Sequence, residues 1–446
     1  VATASLAATT GFAEPSKAEK NAAKPAFPLR ISQNHRHLED AAGRPFLYHA
    51  DTPWGLFVRA TIEDARRYMD HRKAAGFNTL QVQLLPEGSI TPGTNIYGQD
   101  AFLVHGDYAT PNEAYFAHVE AVLDAASKRG LLMSLNPVWL GCCDGGRRFE
   151  METNGVAKCR ELGRYLGNRF KRFPNVIWIN GGDMDPGRWR PFVNAVAEGL
   201  KETAPGQMHT AHWSSTHSSR DEIRDERWLD INATYTYAAE HLGAWRRQYH
   251  VYHSSRLDYL RQPPMPFFLI ESTYENEHRG TPLKIRRQAW WSVLSGSCGQ
   301  AVGIGGMWGL RNDWTNRLDS PAVRDMGRLR TILEAARWWT LEPDLDHRVL
   351  TAGYGTYNST DQPGGDDYVT ASVAKDGSLL LAYVPAGNAV TVDTTRLKGR
   401  LKGFWIDPTN GRRSGEIAIG TGLTTQPPGP NATGDRDWVL LVESKK

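Results

Sequence analysis

The feature that most constrains this chain is a rhythm. From "RPFLYHADTPW" to about Pro343, short β-branched and aromatic runs alternate with longer segments of helical periodicity. That alternation is the signature of a parallel sheet whose strands are joined by helical crossovers. The strand candidates are Phe46 to Asp51, Thr79 to Leu84, Leu131 to Leu135, Val176 to Ile179, Met208 to Trp213, Leu229 to Thr234, Phe267 to Glu271 and Gln300 to Ile304. Eight such units over roughly 300 residues fit a (β/α)8 barrel better than an open sheet. Helix starts are punctuated. Thr61 followed by Asp64 resembles a capping box, and Thr110-Pro111, Thr281-Pro282 and Ser320-Pro321 each set a hydroxyl cap before a proline at the first helical position.

After "WWTLEPDLDH" the texture changes to short alternating runs, such as "SLLLAYVPAG" and "DWVLLVES", separated by Gly, Pro, Asn and Asp. This reads as an antiparallel β-sandwich of about 100 residues. The expected organisation is therefore a tail over residues 1–27, a catalytic barrel over 28–343 and a sandwich over 344–446 that either binds glycan or, as its lack of an exposed aromatic row favours, braces the barrel.

Composition narrows the function. A net charge of +3, with Lys and Arg interspersed among Asp and Glu, carries no basic block and argues against a nucleic-acid partner. No stretch is long and apolar enough to span a membrane as a helix. The Ala-rich start followed by Gly11-Phe12-Ala13 resembles a signal-peptidase site, which predicts a secreted or periplasmic protein. The four cysteines are too few for a disulfide framework, although Cys142 or Cys143 is placed to link to Cys159 across a loop. The adjacent pair lacks C-x-x-C spacing, so neither a metal nor a cofactor is expected. Tryptophan is abundant, at 15 copies, many of them beside Gly, Asp or His. Such rings suit stacking on the C–H faces of a sugar.

The strand ends carry the chemistry, because a parallel barrel displays its active residues there. The first strand runs into "HADTPWGLF", offering Asp51 and Trp54; the second alternates so that Gln81 and Gln83 share a face; the third leads to Asn136 and Trp139. The fourth, in "VIWINGGDMDP", stops at two glycines before Asp183. Asp183 is either a helix cap ahead of Pro186 or a reacting carboxyl. His212 and Trp213 end the fifth strand, Tyr235 follows the sixth, Glu271 and Tyr274 lie in "FFLIESTYEN", and Trp308 follows the eighth. Glu271 stands directly after four apolar residues, where a carboxyl is costly to bury without a partner or a task. Asp183 and Glu271, from strands on opposite sides of the mouth, suit a pair flanking a glycosidic bond. A barrel that binds carbohydrate without turnover is the alternative, as is a hydrolase of another bond; the chain has no H-E-x-x-H for a zinc protease.

Four stretches, "GRPFLYHADTPWGLF", "YMDHRKAAGFNTLQVQ", "VIWINGGDMDP" and "FFLIESTYE", together resemble the apiosidase-like (β/α)8 glycoside hydrolases, which carry a C-terminal domain named for collagen binding. The resemblance runs from about Pro28 into the sandwich. It implies a retaining glycosidase acting on a pentose or furanose unit of a plant or microbial polysaccharide, with Asp183 as acid/base and Glu271 as nucleophile. It also implies that Asp51 and nearby aromatic residues hold the sugar beside the nucleophile. Trp54, Gln83, Asn136, Trp139, His212, Trp213, Tyr235, Tyr274 and Trp308 complete the expected substrate-binding set.

Overall fold

The computed structural model describes residues 24–444 except 87–92, 142–144, 224–225, 238–250, 312, 360–364 and 421. Eight parallel strands form the first unit: β1 Tyr48–Asp51, β2 Thr79–Gln83, β3 Leu132–Asn136, β4 Val176–Gly181, β5 His209–His212, β6 Asn232–Tyr235, β7 Phe267–Glu271 and β8 Gly299–Val302. Each coincides with one of the runs expected from sequence. Helices α1 Ile62–Ala74, α2 Glu113–Arg129, α3 Arg148–Phe170, α4 Arg190–Thr203, α5 Val251–Leu260, α6 Pro282–Leu294 and α7 Pro321–Ala335 surround them. Thr61, Thr281 and Ser320 cap α1, α6 and α7 through their side chains, as expected. Thr110 does not cap α2. Asn112 does, because its amide oxygen reaches the Ala114 N–H at 3.1 Å while the Thr110 hydroxyl bonds back to the Asp107 carbonyl.

The strands pair in the order β5-β4-β3-β2-β1-β8-β7-β6, which leaves β5 and β6 to meet without a ladder of their own among the described residues. Ser219 fills that seam. Its hydroxyl donates to the Ala211 carbonyl of β5 at 2.6 Å and accepts the Ala233 N–H of β6 at 2.9 Å. The chain just before it lies along β6, with the Thr216 N–H on the Tyr235 carbonyl at 2.8 Å. Backbone groups that a gap would have orphaned are satisfied in this way.

Strand parity decides what faces the interior. Tyr48 points inward: its ring stacks on Phe268 of β7 at 3.8 Å and its hydroxyl donates to Ser134 of β3 at 2.8 Å. His49 and Asp51 therefore point outward, towards the helices. Glu271 should point outward as well, since Phe268 is inside and Ile270 shares its parity. A bulge between Leu269 and Glu271 sets two steps of β7 against one of β6 and re-aims Glu271 to the mouth.

The second unit is a sandwich. One sheet joins β9 Leu341–Pro343, β11 Thr370–Ala374, β12 Leu379–Val384, β14 Leu401–Ile406 and β16 Trp438–Ser444; the other joins β10 Leu350–Ala352, β13 Val390–Val392 and β15 Leu423–Thr425. Strand β9 lies just ahead of the boundary expected at residue 344, because Leu341 to Pro343 already pair with β11. Both faces of the larger sheet are buried. Leu380, Ala382 and Val384 face the smaller sheet, whereas Leu381 and Tyr383 pack on the barrel. The Tyr383 ring stacks on Trp290 of α6 at 5.9 Å. Beside it Arg286 reaches Asp437 with two bonds of 2.8 and 2.9 Å, Asp325 at 2.9 Å and Asp435 at 2.7 Å. This buried network ties the sandwich to the barrel.

Two further expectations change. Lys24 and Ala26, placed in the tail, are hydrogen-bonded to Lys128 and Asp40, so the barrel unit takes in residues ahead of 28. Cys159 is a buried free thiol, while Cys142 and Cys143 lie outside the described residues.

Candidate active site

Above the barrel, β4 ends in an unusual backbone. Gly181 and Gly182 have φ of 85° and 147°, and Asp183 follows at 29°, a conformation that costs a non-glycine residue free energy. A Cβ on Gly181 would stand 2.3 Å from the Trp213 ring, and one on Gly182 would stand 2.5 Å from that of Trp139. The glycines are there so that two indoles can press on the chain and fix where Asp183 points. Asp183 does not cap the next helix. A short helical turn from Gly187 to Trp189 intervenes, and α4 begins only at Arg190.

Asp183, Glu271 and His212 meet at the mouth. One oxygen of each carboxyl and one imidazole nitrogen all lie within 4.8 Å of one another. His212 Nε2 stands 3.1 Å from Glu271 Oε2 and 3.6 Å from Asp183 Oδ1. The Asp183 side chain is 21% exposed and that of Glu271 8%, so Asp183 has the readier access to solvent and to a leaving group. Burial pushes Glu271 up to about 8, opposed by a hydrogen bond from Tyr274 and reinforced by the charge of Glu277. Burial also lowers His212 to about 4, against the pull of Asp183, so its ring is neutral at pH 7.

Aromatic residues hold this triad. Tyr235 packs edge-on against His212 at 4.5 Å and its hydroxyl bonds to Asp183. Trp54 lies parallel to the imidazole at 6.4 Å, Trp139 is tilted over it at 5.3 Å, and the Trp54 indole donates to the Tyr274 hydroxyl at 2.8 Å. Burial keeps the phenols of Tyr235 and Tyr274 far above their ordinary range, so both remain donors to the carboxyls at any working pH. Asn136 joins the ends of β3 and β4 by donating to the Ile179 and Gly181 carbonyls at 2.9 and 2.8 Å. Gln83 is buried at the mouth end of β2, its N–H on the Trp54 carbonyl at 3.0 Å.

Two expected residues stand elsewhere. Asp51 shares the outward parity of His49, and its carboxylate is taken up by Arg72 and Tyr68 of α1 and by the Thr52 N–H. It anchors the end of β1 instead of facing a sugar. Trp213 is fully buried, its indole donating to the Ser219 carbonyl at 3.1 Å, and it backs Gly181 without lining the mouth. Trp308 does reach the site, through a residue the sequence reading passed over. Its indole donates to Glu277 Oε1 at 2.6 Å, and Tyr237 donates to Oε2 at 3.0 Å. The signal for Glu277 was a further carboxyl in the same "ESTYENE" run, the third after Glu271 and Glu275.

Two groups have the donors and spacing for a cation of oxygen and nitrogen preference: Asp183, His212 and Glu271, and Asp185, His217 and Glu222. In the second, His217 Nδ1 is bonded to Asp185 at 2.8 Å and Glu222 is paired with Arg190 at 3.2 Å, so the donors already have partners. In the first, Tyr235 and Tyr274 bond to the carboxyls.

A (β/α)8 barrel with a carboxyl pair over its C-terminal mouth, one member buried and the other partly exposed, walled by indoles and phenols, is the architecture of a glycoside hydrolase. Residues 32–340 match the apiosidase-like catalytic domain, and the chain belongs to that family of glycosidases. Residues 359–443 match a domain described as "Putative collagen-binding domain of a collagenase". Among solved structures, one titled "Glycoside hydrolase" shares 23% identity at a TM-score of 0.81, over 94% of this chain and 97% of its own. A glycoside hydrolase family 5 protein from Bacteroides vulgatus ATCC 8482 shares 22% at a TM-score of 0.81, over 94% and 95%. An endo-1,4-beta-mannanase from Rhizomucor miehei shares 10% at a TM-score of 0.50, over 68% and 99%. These likenesses concern the fold. No curated protein sequence matches significantly. Among the described residues, no helix is long and apolar enough to cross a membrane.

Proposed function

We propose that this chain hydrolyses the glycosidic bond of a pentose or furanose unit in a plant or microbial polysaccharide, outside the cytoplasm, with retention of anomeric configuration. The observation that carries the reading is the approach of Asp183 and Glu271. Their nearest oxygens lie within 4.8 Å. Retaining enzymes set their two carboxyls about 5–5.5 Å apart, whereas inverting enzymes leave about 6.5–9.5 Å for a water between them. A gap this short supports direct attack by one carboxylate.

Glu271 attacks the anomeric carbon while Asp183 gives its proton to the leaving oxygen. Asp183 then takes a proton from the water that releases the sugar. Without a sugar, burial favours the proton on Glu271; the reactive arrangement has it on Asp183, with Glu271 ionised and bonded by the Tyr274 hydroxyl. His212, neutral at pH 7, lends no charge and holds the spacing of the pair.

Wild type and Glu271→Gln should be assayed on pentofuranosides and on plant and microbial polysaccharides, with released sugars separated by chromatography. Release of a pentose by wild type alone is expected. Near-normal release by the variant would remove Glu271 from the mechanism, and release of hexoses alone would move the specificity.

A further inference from the structure

The turn after β7 is built under strain around one side chain. Asn276, His278 and Arg279, on either side of Glu277, adopt φ of 63°, 44° and 60°. The turn closes at Gly280, where a Cβ would come 1.8 Å from the Tyr274 carbonyl oxygen. Opposite, a Cβ on Gly305 would stand 2.7 Å from Glu277 Cγ, so β8 continues into a backbone stripped of side chains where the Glu277 stem lies. Trp308 and Tyr237 then fix the carboxylate, one donor on each oxygen. Tyr237 packs edge-on against Tyr274 at 5.1 Å, and Tyr274 in turn bonds to Glu271. Strain of this kind persists where the surrounding structure enforces it, and it clusters at functional sites.

We propose that Glu277 is a substrate-binding carboxylate: it accepts hydroxyl hydrogen bonds from the sugar held against Glu271 and restricts that position to neutral, hydroxyl-rich sugars. The inference rests on the glycosidase reading above. Each Glu277 oxygen has one protein donor and keeps a lone pair for a second. Hydrogen bonds from a sugar hydroxyl to an ionised acceptor are among the stronger kind. A uronic acid in the same position would set its carboxylate beside Glu277 and Glu271, and like charges at that distance reject it.

The test measures binding apart from turnover. Quenching of tryptophan fluorescence is titrated with L-arabinose, D-xylose and D-apiose as neutral probes and with D-glucuronate and D-galacturonate as acidic ones, on wild type, Glu277→Gln and Trp308→Phe. Wild type should bind at least one neutral sugar and neither uronate. Glu277→Gln, whose amide oxygen still accepts from Trp308, should weaken the neutral sugar at least tenfold and admit a uronate. Trp308→Phe should keep the preference for neutral sugars, because the charge remains. If Glu277→Gln binds both classes as wild type does, or if Trp308→Phe loses selectivity equally, Glu277 only anchors Trp308 and the proposal is overturned while the glycosidase reading stands. Wild type that neither binds nor cleaves any sugar overturns both.

Discussion

Glu271→Gln should make the protein more stable at alkaline pH while abolishing turnover. Burial raises Glu271 from 4.5 to about 8. The neutral form therefore contributes stability that is fully present below pH 4.5 and is lost as pH rises through 8. At about 1.4 kcal/mol per tenfold change in proton affinity, ionising Glu271 in the fold costs up to about 5 kcal/mol above pH 8. Glutamine never ionises and fits the same space. Urea unfolding of both proteins at pH 5, 7 and 9 reads the difference directly. At pH 5 the two should agree within about 1 kcal/mol, since each presents a neutral group to Tyr274. At pH 9 the variant should be more stable by about 2–5 kcal/mol, the lower value allowing for water entering the mouth. Turnover should fall by about three orders of magnitude or more, as expected for loss of a nucleophile. A stability difference that does not change with pH, or a variant weaker than wild type at pH 9, would refute the argument that Glu271 is buried at an electrostatic cost.

Gly182→Ala should both destabilise and inactivate, because φ is 147° and the new methyl would meet the Trp139 ring at 2.5 Å; thermal melts should show a loss of about 2–4 kcal/mol, with Asp183 displaced. Arg286→Met leaves Asp437, fully buried, and Asp325 without their cation. That change should cost about 3–5 kcal/mol and loosen the sandwich, measurable by urea unfolding and by protease sensitivity of the sandwich. Treatment with a chelator should leave the rate unchanged, since the carboxyl pair performs the chemistry through its own protons; a loss restored by a divalent cation would assign a metal to Asp183, His212 and Glu271.

All eight barrel strands were legible because each is a short, largely apolar run set between helical segments, and Val176 to Ile179 is the clearest. The orientation of the residues ending them was not. Asp51 looked like a mouth residue because it closes a strand, yet parity set by Tyr48 turns it to Arg72. Glu271 looked right for a reason the sequence did not contain, the bulge beside Leu269. The two glycines before Asp183 are plain in the sequence, but the rings that press on them, Trp139 and Trp213, come from other strands and are not. Glu277 went unread because its role depends on Trp308 and Tyr237, which come from different loops. The short strands Leu350–Ala352 and Leu423–Thr425 carry three residues each, too few for a periodic pattern to register.

The most direct test of the central claim is proton NMR of the anomeric signals of the first sugar released by wild type, before mutarotation mixes them. Attack by Glu271 across its short separation from Asp183 predicts a product with the same anomeric configuration as the substrate. A product of opposite configuration would contradict it, and would recast Glu271 as the base for a water molecule.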